Sequence, residues 1–191
     1  FGLVFAIRGP PFHKHNDGPV QLGRLKGYAA MLQSFAEDSG LHVHLELTVP
    51  GRAGSAQVLV SKAITLAQAK QRVRGNKYSS KYIILDTDWL SPVSAENTRM
   101  KRRAEQAGFK LVFQDCCFEA FLLRHFEATQ NAAPPNAEEA FNQLSRVWEG
   151  YRKGLAAKDL MKKLNADMVR SAAMRPKNRD FEGFLRDIGL L

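Results

Sequence analysis

Lys81-Tyr82-Ile83-Ile84-Leu85-Asp86-Thr87-Asp88 (KYIILDTD, residues 81–88) decides the fold class. Residues 81–85 are a short, nearly continuous apolar run, rich in aromatic and β-branched side chains. That pattern predicts a compact strand buried on both faces, as in sheets covered by helices on each side. Asp86 and Asp88 follow at once, at i and i+2, where an open α/β sheet places its ligands. Two carboxylates there suit Mg²⁺ or Mn²⁺, hard cations that favour oxygen donors. A cation so held can clamp a phosphate and activate water. The alternative is a plain capped turn, because Asp also closes loops through its own backbone.

Outward from this strand, helical and strand patterns alternate. Phe1–Ile7 (FGLVFAI) reads as a buried strand ended by Arg8-Gly9-Pro10-Pro11. Residues 21–39 carry helical spacing through Leu22, Leu25, Ala29, Leu32 and Phe35. Leu41–Val49 (LHVHLELTV) alternates strictly, as a half-buried edge strand does. A helix follows from Ser55, its N-cap, to about Arg74. Residues 94–107 form the next helix, capped by Ser94 and closed by Gly108. Phe109–Phe113 is a strand and 118–127 an apolar helix. The expectation is an α/β fold, a mainly parallel sheet flanked by helices. Residues 129–136 (TQNAAPPN) are the clearest linker. Two regions are therefore expected, an α/β core over 1–128 and a C-terminal helical extension over 129–191.

Of 191 residues, 45% are hydrophobic and 25% charged, which excludes wholesale disorder. No apolar run reaches the roughly 20 residues a membrane helix needs. The two cysteines, Cys116 and Cys117, are adjacent and lack metal-site spacing, so a reducing, cytoplasmic compartment is expected. Both are read as structural, since sequence shows neither a base nor a lowered thiol pKa. The 28 Lys and Arg exceed the 19 Asp and Glu, for a formal charge of +9, and an excess of that sign attracts nucleic acid. It has locations. Lys70, Arg72, Arg74, Lys77 and Lys81 form one cluster; Arg99, Lys101, Arg102 and Arg103 form another just after the acidic strand. Such side chains would grip phosphates in a salt-sensitive, sequence-tolerant way; the alternative is a solvated helix face. His13, His15 and Asp17 offer a weaker metal or acid–base set, and His42 and His44 read as solvent-facing.

Glu119, near the start of the helix over 118–127, is placed either to point at the strand ends or to complement the helix dipole. The run Cys117-Phe118-Glu119-Ala120-Phe121-Leu122-Leu123-Arg124-His125-Phe126 resembles the Cys-Phe-Glu-x-Trp-Leu-Leu-x-His-Phe signature of RloB-like proteins, which are associated with bacterial restriction and phage-defence loci. Ile84-Leu85-Asp86-Thr87-Asp88 fits that family's Asp-x-Asp strand, and Trp148–Gly154 resembles its later Tyr-x-Lys element. The resemblance implies a Toprim-like fold and phosphodiester cleavage in DNA or RNA. It implies Mg²⁺ or Mn²⁺ on Asp86 and Asp88; beside it, Glu119 is a candidate third catalytic carboxylate and a defence-system protein a candidate partner. Arg8 stands where the family's first strand carries a Glu. That leaves three readings open: a shifted alignment, a substitute carboxylate from Asp17 or Glu119, or a catalytically degenerate domain that binds nucleic acid or a partner protein.

Overall fold

The computed structural model describes residues 2–8, 24–48, 55–74 and 78–191. Its strands are β1 (Gly2–Arg8), β2 (His44–Thr48), β3 (Ser80–Asp86) and β4 (Lys110–Gln114). Its helices are α1 (Arg24–Asp38), α2 (Ala56–Arg74), α3 (Ser94–Gln106), α4 (Phe118–Leu123), α5 (Ala137–Val147), α6 (Ala157–Leu160), α7 (Ala166–Ala173) and α8 (Arg179–Asp187). His13, His15, Asp17 and Lys77 lie outside the described residues. The helix expected over 118–127 stops at Leu123, because the Thr129 hydroxyl donates to the Leu123 carbonyl at 2.7 Å and the chain turns through 127–129. The Asp-x-Asp strand and its flanking helices fall where the apolar spacing puts them.

The sheet order is β2-β1-β3-β4. β3 and β4 pair in parallel through the α3 crossover, while β1 is antiparallel to both of its neighbours. The mainly parallel sheet expected from the alternation is therefore corrected to a mixed one, with one parallel pairing of three. Alternation supplies each strand with a covering helix but does not fix the direction in which a strand enters the sheet. One consequence is functional. Gly2 lies opposite Leu85 and Ile7 opposite Ser80, so the Arg8 backbone sits at the amino end of β3. At about 3.3 Å per residue, that is roughly 20 Å from Asp86. The expectation that Arg8 occupies a place in the acidic site is corrected accordingly.

Period two along β3 divides the core. Ile83 and Leu85 pack against Leu59, Val60, Ala63, Met100 and Ala104 of α2 and α3. Tyr82 and Ile84 face the larger core built from α1, α4 and α8, among them Tyr28, Leu32, Phe121 and Phe184. Each of the larger apolar side chains among these, fully buried, contributes about 1.5–3 kcal/mol. Asp86 continues the second face, and so does Gln114, two residues beyond Val112. The return from α3 to β4 needs Gly108 at φ 73°, where the Phe109 N–H reaches the Ala104 carbonyl at 2.9 Å.

Residues beyond 129 share this core. Leu144, Leu164 and Phe184 belong to the same apolar cluster as Ile84. Asp187 of α8 fastens the amino ends of β3 and β4. One carboxylate oxygen accepts from Ser80 (2.8 Å), Tyr82 (2.6 Å) and Lys110 (2.6 Å). Burial pushes this carboxyl up, but the donors from Lys110, Tyr82 and Ser80 outweigh it and hold it below the ordinary range.

A second joint lies at Gly27 of α1. A Cβ there would sit 1.9 Å from the Leu155 carbonyl oxygen, just before α6. Backbone cannot swing aside as a side-chain tip can, so Gly27→Ala is expected to cost about 2–3 kcal/mol in urea denaturation. An unchanged midpoint would contradict the close docking of this segment on α1.

Candidate acidic site at the carboxyl end of the sheet

Three polar side chains are buried where β3 and β4 end. Asp86 is 5% exposed, Gln114 2% and Glu119 0%. Asp86 and Gln114 are direct partners in the parallel ladder, on the face covered by α4. Glu119 comes from the first turn of α4, a helix whose six residues are all buried. Asp88 is exposed, in the 3-10 turn Thr87–Trp89, and its N–H bonds the Cys116 carbonyl at 3.3 Å. That bond joins the turn after β3 to the loop after β4.

The acids affect one another. Burial pushes the Asp86 carboxyl up to about 7, and the charges of Asp88 and Glu119 act in the same direction. Asp88 is also raised, first by burial and then by Glu119. Sequence placed Asp86, Asp88 and Glu119 as one set, and the fold brings them within electrostatic reach of each other. Among the described residues, however, no group of three or more His, Cys, Asp or Glu side chains is close enough to hold a metal ion. Mg²⁺ commonly takes only one or two carboxylates, completing its shell with water and substrate oxygen. The hard oxygen donors of Asp86 and Asp88 fit that habit.

Asp88 also lines an open cavity of about 410 Å³, with Ser55, Gln57, Trp89, Glu96 and Asn97. Ser55 caps α2 as expected, its hydroxyl accepting from the Val58 N–H at 3.3 Å. Ser94 does not cap α3. The N-cap is Val93, and Asn97 instead reaches back to Ser91, accepting from its N–H at 3.0 Å and donating to its carbonyl at 2.6 Å.

The remaining residues of the motif are structural. The His125 Nδ1 lies 3.0 Å from the Phe121 carbonyl, which can only accept, so Nδ1 carries the proton. Nε2 then accepts from the Tyr28 hydroxyl at 2.7 Å. Burial drives this imidazole down to about 4. The Arg124 guanidinium donates to Ala132, Asn178 and Asp115, binding three segments together. Burial pushes the Cys117 thiol up to about 12, which leaves it unreactive. Tyr151, in the second element quoted for the resemblance, is buried in the core.

The basic clusters separate in the structure. Lys70 donates to Thr48 at 2.8 Å and pairs with Glu46 at 2.9 Å. Lys81 donates to the Ala107 carbonyl at 2.7 Å and lies over the Phe109 ring. Both are occupied within the fold. Arg72 is exposed on α2, which ends at Arg74. On α3, Arg99, Lys101, Arg102 and Arg103 are all exposed, and Lys101 rests over the Phe113 ring. Gln114 is the site residue that sequence reading missed. Its signal was positional: it ends the strand that runs parallel to the one ended by Asp86.

These observations define an α/β protein with a mixed sheet, an acidic cluster at its carboxyl end and a basic helix beside it. A family model described as RloB-like protein matches residues 26–184. The chain belongs to the RloB-like family. The matched region begins after β1, so Arg8 lies outside it. No curated protein and no solved structure matches the chain. No helix among the described residues is long and apolar enough to cross a membrane.

Proposed function

We propose that the protein acts on nucleic acid in the cytoplasm as a divalent-cation-dependent, Toprim-like nuclease of bacterial phage defence. The observation that carries this reading is that Asp86 and Glu119, both buried, lie within electrostatic reach of each other and of Asp88, which itself lines a 410 Å³ cavity. Carboxylates crowded in this way raise one another's cost of ionisation, a cost that a bound cation removes. Asp86 and Asp88 would hold Mg²⁺ or Mn²⁺, with Glu119 as the third carboxylate. When bound, the cation supplies charge for the scissile phosphate and an activated water. The chain's own part is to orient. The Asp88–Cys116 bond fixes the turn. Arg99, Arg102 and Arg103 of α3, exposed and without an ion-pair partner among the described residues, take the flanking phosphates.

A second reading has its own support. With no tight group of three metal-binding side chains among the described residues, the domain would bind nucleic acid or a defence-system partner without cutting. One experiment separates the two. DNA and RNA are incubated with the protein and Mg²⁺, and binding is measured across a salt series. The nuclease reading expects cleavage that Asp86→Ala reduces at least 100-fold. Salt-sensitive binding without cleavage, unaffected by Asp86→Ala, would replace it with the binding reading.

A further inference from the structure

We propose that Gln114 is a positioning residue of the acidic site, its side-chain oxygen accepting a hydrogen bond from a water on the bound cation. The inference deepens the proposed function and rests on it. Gln114 stands directly opposite Asp86 in the parallel ladder and projects from the same face of the sheet. Only 2% of it is exposed. Its Oε1 is buried and has no hydrogen-bond partner among the described residues. A buried amide oxygen left in that state costs about 1–3 kcal/mol, and an apolar side chain of the same length would avoid the cost. The ladder position explains why the amide is useful: it places a neutral acceptor directly opposite Asp86 without adding a fourth carboxylate to this end of the sheet. Asp86 and Asp88 suit the cation itself, and Gln114 suits the hydration shell that Mg²⁺ and Mn²⁺ keep. Groups that hold a metal's outer shell in this manner typically change affinity 10–100-fold when removed.

The test uses the whole chain and Mn²⁺ as the probe. Calorimetric titration of wild type, Asp86→Asn and Gln114→Met is paired with thermal melts in a chelator. Binding by wild type, lost in Asp86→Asn and weakened about tenfold or more in Gln114→Met, is the expected result. Gln114→Met should also melt no lower than wild type without metal, because it removes an unpaired buried amide oxygen. Unchanged Mn²⁺ affinity in Gln114→Met, with Asp86→Asn still impaired, overturns the role of Gln114 alone. A melt several degrees lower for Gln114→Met overturns it too, by showing that the amide stabilises the fold itself. Absence of Mn²⁺ binding by wild type overturns both this role and the reading beneath it.

Discussion

Replacing Arg124 by methionine is expected to destabilise the fold by about 2–4 kcal/mol. The side chain is 1% exposed and lies between the strand end, the linker and the C-terminal helices. Its Nε donates to the Ala132 carbonyl at 3.1 Å and its Nη1 to Asn178 at 3.2 Å. Its Nη2 donates to the Asp115 carbonyl and lies 3.6 Å from the Asp115 carboxylate. Asn178 in turn donates to the Ala172 carbonyl at 3.0 Å, extending the tie to α7. Methionine fills similar space but takes the donor from the Ala132 and Asp115 carbonyls and from the buried Asn178 amide oxygen, while the Asp115 carboxylate keeps Lys177 at 2.8 Å; a buried acceptor so orphaned costs about 1–3 kcal/mol. Lysine would keep the charge but not the fork that reaches three segments at once. Urea denaturation measures the loss; a difference below about 1 kcal/mol would show that the acceptors find other partners.

Asp86→Asn should act in the opposite direction on stability while abolishing cation binding. Asp86 has a folded-state pKa of about 7, against an ordinary value of 3.8. A carboxyl raised on folding binds its proton more tightly in the native state. Its contribution is fully favourable below pH 4 and is lost as pH rises through 7. Above that, ionised Asp86 penalises the fold by up to about 4 kcal/mol, since each pKa unit is worth about 1.4 kcal/mol. Asparagine cannot ionise, so in chelator at pH 8 the variant should melt higher than wild type, with the gain fading towards pH 4. His125, whose pKa is lowered to about 4, gives the opposite slope between about pH 4 and 6.5. It is common to both proteins and cancels in the difference. A variant that melts lower than wild type at pH 8 would make Asp86 a structural residue.

Local features were legible because local chemistry dictates them. The apolar run of residues 81–85, the Ser55 cap and the spacing of α1 depend only on near neighbours. What depended on pairing across the sheet was not legible. Nothing within residues 1–8 states that β1 runs against β3, and that single direction removed Arg8 from the acidic end. Gln114 escaped notice because its importance lies in register with Asp86, some 28 positions away. The first basic cluster looked uniform in sequence, yet Lys70 and Lys81 are occupied by Glu46 and the Ala107 carbonyl. Arg124 sat in an apolar run whose pattern gave no partner for it; its partners come from the loop after β4, the linker and the segment before α8. Glu119 had two readings in sequence, and neither stated its complete burial within electrostatic reach of Asp86, which depends on how α4 packs on the sheet.

The central proposal is that Asp86 and Asp88 hold a cation. Anomalous diffraction from crystals of the protein grown with Mn²⁺ tests it most directly. A peak is expected within coordinating distance of both Asp86 and Asp88, absent from crystals of Asp86→Asn. No peak at that end of the sheet under saturating Mn²⁺, with Asp86 and Asp88 well ordered, would contradict it.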